Sequence, residues 1–247
     1  MRLTLDLETL PALSMTAEDR QRYAYSKAPK DHPAPAEWLA ENTEEQWRRS
    51  ALDLDRAVIW MVGYAWDDAH PRVLVNPDPE GDPGWCVREF WAAVWSELQA
   101  RAGRSIAYPR AIVGKYHRHF DLPMLARQAF RVGPGAEGLA LWLTDVLSYP
   151  YDKRVCCPGE RIPGKSLSLD PMAQLLGVSG KPDGMDGSRV YDYFLEGRVD
   201  EVAAYCAADV MSARACWDVL VGNTPAPGGV LPPLPDVPAD ILEALTP

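Results

Sequence analysis

Leu3, Leu5 and Leu7 alternate with Thr4, Asp6 and Glu8 across the first ten residues. A period of two is that of a strand with one apolar face. Ala57–Trp66 is an apolar run of strand length, Asp67–Pro71 a turn by composition, and Arg72–Asn76 a further short strand, so the three predict an antiparallel meander. The period then changes. Val87, Phe90, Trp91, Val94, Trp95 and Leu98 fall at helical spacing and predict a helix over Trp85–Ala102 with an aromatic stripe toward the core. Ser105–Val113 reads as a fourth strand ending at Gly114, and Asp121–Val132 as a helix whose first turn accepts Pro123. The apolar stretch Leu139–Leu147 is expected to be the last strand. A Gly/Pro-rich loop, a short helix ending near Leu176 and Gly177, and helices over Ser188–Leu195 and Val199–Val221 complete the body.

Between about residues 11 and 54 the pattern is interrupted by an insertion. Thr16 with Asp19, and Thr43 with Gln46, have capping-box spacing and predict two short helices. Lys27–Pro35 is a loop by composition, and Trp38 and Trp47 are expected to pin the insertion to the body. Residues 222–247 form a Pro/Gly-rich tail, with Asp240–Leu245 as a candidate short helix. The expected organisation is one domain over 1–221 carrying the insertion, then the tail. A meander leading into helix-linked strands predicts an α/β fold with a mixed sheet flanked by helices.

Composition narrows the function. The longest apolar run falls short of the roughly 18 residues that cross a bilayer. The N-terminus reads as a strand rather than a secretory signal, so a cytoplasmic protein without a membrane partner is expected. Five cysteines without metal-ligand spacing, Cys156 and Cys157 adjacent, suit reduced thiols. The net charge of −10 argues against a protein that coats nucleic acid electrostatically, but is compatible with acids gathered in a site.

The acids are placed to form one. Asp6 and Glu8, at i and i+2 of a strand, point to the same side roughly 7 Å apart along the backbone. Like charges that close repel unless a cation lies between them, and divalent cations take carboxylate oxygens. On the last long helix, Tyr205 and Asp209 lie one turn apart on the border of the inward stripe formed by Val202, Cys206, Ala213, Trp217 and Leu220. Asp121 stands in a basic setting of Arg110, Lys115, His117, Arg118, His119, Arg127 and Arg131, which reads either as a solvated face or as a phosphate-contacting patch. A competing motif, Gly159–Ser166, fits the phosphate-cradling G-x4-G-K-S pattern. It lacks a good preceding strand, Pro163 lies inside the loop, and Pro171 limits any helix beginning at Ser166. A loop at the mouth of a cleft, with Lys165 near phosphate, is the better reading.

Asp6-x-Glu8, Gly114-x6-Asp121 within Phe120–Arg127, and Tyr205-Cys-Ala-Ala-Asp209 resemble, in order, the three motifs of the DEDDy 3′–5′ exonucleases of the ribonuclease H-like superfamily. The stretch from Lys181–Ser188 through Tyr205–Val210 is most similar to the stand-alone, polymerase-B-related branch. The insertion, with Lys27–Asp31 and Ala51–Asp53, resembles bacteriophage members, so a bacterial or phage-infected cell is the expected setting. The resemblance implies a ribonuclease H-like sheet and two divalent ions, Mg²⁺ or Mn²⁺. Asp6 would bridge them, Glu8 and Asp209 would complete the nucleophile side, Asp121 would hold the second ion, and Tyr205 would orient the attacking water. It further implies hydrolysis from the free 3′ end of single-stranded DNA, with release of 5′-mononucleotides. A DNA polymerase or another replication or repair protein is a candidate partner. Leu7, Thr9 and Leu10 would lie near the terminal nucleotide, with Lys115, Tyr116, Arg118, Arg127 and Lys165 as further substrate contacts. The family usually has Asn where this chain has Tyr116. The alternatives are the same chemistry on RNA ends, and a catalytically silent binding or accessory module.

Overall fold

A computed structural model describes residues 1–29, 35–101, 108–148, 153–162, 167–178 and 185–223. In chain order the elements are β1 (Arg2–Leu10), α1 (Ala17–Lys27), α2 (Pro35–Arg48), β2 (Val58–Trp66), β3 (Arg72–Val75), α3 (Trp85–Arg101), β4 (Ala111–Val113), α4 (Asp121–Val132), α5 (Glu137–Leu147), β5 (Val155–Cys156), α6 (Pro158–Arg161), α7 (Leu169–Leu175), α8 (Val190–Leu195) and α9 (Val199–Leu220). One-turn 3-10 helices cover Arg49–Leu52 and Gly187–Arg189. The strands form one sheet in the order β3-β2-β1-β4-β5. β1 and β3 run antiparallel to β2, while β1, β4 and β5 are parallel, which is the mixed ribonuclease H-like sheet.

The alternation of β1 divides the molecule. Leu3, Leu5 and Leu7 enter the larger core with Phe90, Val94 and Leu98 of α3, Leu122 and Leu125 of α4, and Leu139 and Leu143 of α5. On the other side Leu10, Trp60 and Met61 pack with Val202, Ala203 and Cys206 of α9 and with α8. A sheet in which β4 lies parallel to the strands' first member needs a crossover connection, and α3 supplies its helix.

Three expectations are corrected. Leu139–Leu147 is helix α5, not the last strand. Leu139, Ala140, Leu143 and Val146 are buried while Leu141 is exposed, a helical stripe hidden inside a continuous apolar run. The last strand is the two-residue β5, held by Ile112↔Val155 and Val113↔Cys156 pairing at the sheet edge. Thr43 does not cap a helix: α2 begins at Pro35, and the Thr43 hydroxyl donates back to the Leu39 carbonyl. The fourth strand is also shorter than Ser105–Val113; within the described part it begins at Ala111. Thr16, by contrast, caps α1 by accepting from the Asp19 amide. The tail beyond Asn223 and the segment Pro163–Ser166 lie outside the described residues. Among those described, no helix is long and apolar enough to cross a membrane.

The insertion is fastened to the end of β1. The Trp47 indole donates to the Ala12 carbonyl at 3.0 Å, the Ala12 amide to the Ser50 hydroxyl at 2.9 Å, and the Thr9 hydroxyl to the Ala51 carbonyl at 2.7 Å. The Arg20 guanidinium covers the Trp47 ring, and Tyr191 meets its edge. Trp47 is therefore the pin, buried rather than free to stack on a base.

Helix α9 crosses β2 at Gly63, where a Cβ would stand 2.7 Å from Cys206 Sγ and 3.0 Å from Val210 Cγ2. Gly63→Val should therefore push α9 off the sheet and cost about 1–3 kcal/mol, the usual penalty of overpacking. Urea denaturation monitored by circular dichroism measures it, and wild-type stability would contradict the packing described.

Candidate active site

The C-terminal half of β1, the start of α4 and the middle of α9 converge on one cavity of about 840 Å³. Asp6, Glu8, Asp121, Tyr205 and Asp209 all line it, together with Leu7, Thr9, Lys115 and Tyr116. Asp6 and Glu8 pair in register with Gly63 and Met61, and a register shift between Glu8 and Thr9 interrupts the ladder before it resumes with Thr9↔Ile59 and Leu10↔Val58. Such bulges re-aim side chains at the edge of a site.

Asp121 is the first residue of α4, where the helix dipole favours a carboxylate. It is 5% exposed and held by His117, whose Nδ1 lies 3.0 Å from Oδ2. The opposite ring nitrogen lies 2.6 Å from the Val113 carbonyl oxygen. Tyr205 and Asp209, four apart on α9, share a face and are 9% and 7% exposed. The phenol reaches toward the turn at Gly187, where a Cβ would stand 3.3 Å from its hydroxyl.

The electrostatics are those of concentrated negative charge. Burial raises the Tyr205 phenol well above its ordinary value, and the charges of Asp209, Glu8, Asp6 and Asp170 raise it further. The Cys206 thiol is likewise pushed up, by burial first and then by Asp6, Glu8 and Asp209. Donor atoms of Asp6, Glu8 and Cys206 lie within 4.8 Å of one another, a spacing suited to one cation. Cys206 is fully buried and keeps its proton, while Asp6 and Glu8 line the cavity, so the oxygen donors are the ones that face it. A hard oxygen set of this kind suits Mg²⁺ or Mn²⁺ rather than a thiophilic metal.

Positive charge lines the rim. Lys115 has no ion-pair partner among the described residues. Arg48 is paired with Glu44 and Asp192, and Arg49 with Glu45. Tyr116 is 47% exposed and tilts against His119. Three of the sequence-derived substrate contacts do not line this cavity. Leu10 is in the core with Trp60 and Val202, Arg118 points to the Val155 carbonyl and Glu160, and Arg127 pairs with Asp55. Lys165 lies outside the described residues. Sequence reasoning missed Arg48, Arg49, Asp170 and Asp186 as lining residues, and His117 as the partner of Asp121. His117 and Asp121 at i and i+4 were a visible signal; the insertion's arginines carried none.

The adjacent thiols of Cys156 and Cys157 are both buried, and burial pushes Cys157 up to about 12, far from a reactive thiolate. The first residues of the G-x4-G-K-S motif, Gly159 and Glu160, sit in the single turn of α6.

Residues 161–217, less than a quarter of the chain, match the family model described as "Predicted 3'-5' exonuclease related to the exonuclease domain of PolB". The matched segment contains Tyr205 and Asp209 and excludes Asp6, Glu8 and Asp121. No curated protein and no solved structure gives a significant match to the chain.

Proposed function

We propose that this chain is a divalent-metal-dependent 3′–5′ exonuclease that removes 5′-mononucleotides from the 3′ end of single-stranded DNA. The observation that carries the reading is that four carboxylates from β1, α4 and α9 line one cavity beside a buried phenol, while the α9 pair lies in the segment similar to a 3′–5′ exonuclease family. The relation to a DNA polymerase domain in that family's description favours DNA over RNA.

Two Mg²⁺ or Mn²⁺ ions, when bound, supply the charge that makes water nucleophilic at neutral pH and stabilises the leaving oxygen. Asp6, which lines the cavity with Glu8 and Asp209, would be the acid shared by both ions. Glu8 and Asp209 would help hold the ion that activates water, and Asp121 would hold the one that steadies the leaving oxygen. Tyr205 would orient that water: burial and the surrounding acids raise its phenol above an ordinary value near 10, so it is protonated at neutral pH and a poor base. Lys115 is available to phosphate, and Tyr116 offers an exposed ring to a base. Leu7 and Thr9 form the floor under the terminal nucleotide. A cavity in the size range of small-ligand clefts suits a strand end rather than a duplex.

Incubated with Mn²⁺, the protein should release label as mononucleotide from a 3′-labelled DNA single strand, and Asp6→Asn or Asp209→Asn should slow release by more than about 100-fold. Faster release from RNA would reassign the substrate, and no release with either metal would leave a silent binding module. The metal-free site is strained by repulsion, so Asp6→Asn should raise the melting temperature of the chelator-treated protein. Mn²⁺ at about 100 times its Kd should stabilise the wild type by about 2.7 kcal/mol, and this gain should shrink in Asp6→Asn but persist in Tyr205→Phe. Melting curves unmoved by Mn²⁺ would defeat the metal assignment.

A further inference from the structure

We propose that His117 is a positioning residue that holds Asp121 in the geometry required to bind a divalent cation. The inference rests on reading the cavity as a metal-dependent nuclease site. His117 is fully buried although polar, and its two ring nitrogens face two oxygens belonging to different parts of the fold. Nε2 is 2.6 Å from the carbonyl of Val113, the last residue of β4, and Nδ1 is 3.0 Å from Oδ2 of Asp121, the first residue of α4. The imidazole therefore spans the turn that joins a sheet strand to the cavity carboxylate.

Val113 is itself fixed on both sides, by register with Thr4 of β1 and with Cys156 of β5. Thr4 is two residues before Asp6 on the same strand. A continuous path of backbone pairing and side-chain hydrogen bonds thus runs from Asp6 to Asp121, and His117 is its last member. With Oδ2 engaged by the ring, Oδ1 is the oxygen left for the cavity. The turn is shaped around this ring: a Cβ at Gly114 would overlap Nε2, Cε1 and Cδ2 of His117, so glycine at 114 is what lets the imidazole lie back over the chain. A partner that fixes the rotamer of a ligating carboxylate is worth about 10- to 100-fold in metal affinity or activity.

A histidine that merely fills the core makes a different set of demands, and the two roles separate on metal binding. Mn²⁺ uptake without nucleic acid, measured by the paramagnetic resonance of the free ion, should show two sites in the full-length wild type and loss of one in Asp121→Ala. His117→Ala should weaken that same site about 10- to 100-fold and lower kcat with KM for the strand little changed. His117→Asn, whose amide nitrogen can reach Oδ2 as Nδ1 does, should recover most of the loss. Gly114→Ala, whose Cβ would fall on the ring and displace it, should behave as His117→Ala does. If His117→Ala fails to fold, the contrast between His117→Asn and Gly114→Ala carries the same decision. Wild-type Mn²⁺ affinity in His117→Ala or Gly114→Ala would overturn the positioning role while leaving the nuclease reading intact. Failure of the Asn variant to outperform Ala at equal thermal stability would overturn it too. No Mn²⁺ uptake by the wild type would overturn both.

Discussion

Mutual repulsion among carboxylates that the chain cannot separate is the constraint the structure is built to bear. Asp6 and Glu8 are held roughly 7 Å apart by the strand repeat. Their donor oxygens lie within 4.8 Å of each other, and at an effective dielectric near 20 two charges that far apart repel by about 3 kcal/mol. The arginines of the cavity lining are engaged elsewhere, Arg48 with Asp192 and Arg49 with Glu45. The apolar side of β1 offsets the cost. Leu3, Leu5 and Leu7 are buried against α3, α4 and α5, so the strand cannot rotate or slip to relieve the charge without exposing all three. On the nuclease reading, acids carried on a strand fixed by its other face are held in place for a cation.

The placement of α9 depends on an equally close approach. Gly63 lets the helix contact β2 almost at backbone distance, and that contact brings Asp209 and Tyr205 over the end of β1. Near its C-terminal end Arg2 pairs with Asp218, so α9 is fixed to β1 both at the site and away from it. The largely buried Arg2 pair is a registration device rather than a large source of stability, because desolvation offsets much of its attraction.

How far the chain could be read in advance depended on whether a signal was local. The period-two pattern of β1, the stripe of α3 and the bounds of α4 were legible because each records burial on one face of one element. Leu139–Leu147 misled because it is apolar nearly all round: its only exposed large residue, Leu141, is chemically indistinguishable from its buried neighbours. Strand β5 escaped because two residues cannot display a period, and its existence depends on β4 lying beside it. The placement of Asp6, Glu8, Asp121, Tyr205 and Asp209 around one cavity could be anticipated from ordered motifs. Arg48 and Arg49 could not, for they reach the cavity only through the hydrogen bonds that tie Trp47, Ser50 and Ala51 to the end of β1. Leu10 went the other way: adjacency to the acidic motif suggested a substrate contact, while it is buried with Trp60, Val202 and Cys206 beneath α9.

The charge of the whole molecule then bears on the order of events. A chain of net charge −10 repels a polyanion at long range, and the acids gathered in its cavity add to that field locally. Lys115 and the rim arginines are too few to reverse it. A nucleic acid strand gains favourable electrostatics only once cations have entered among Asp6, Glu8, Asp121 and Asp209, so on the nuclease reading cation binding precedes and conditions strand binding. On that reading, attraction for a strand is confined to the place where the loaded acids meet phosphate, and the rest of the acidic surface repels it.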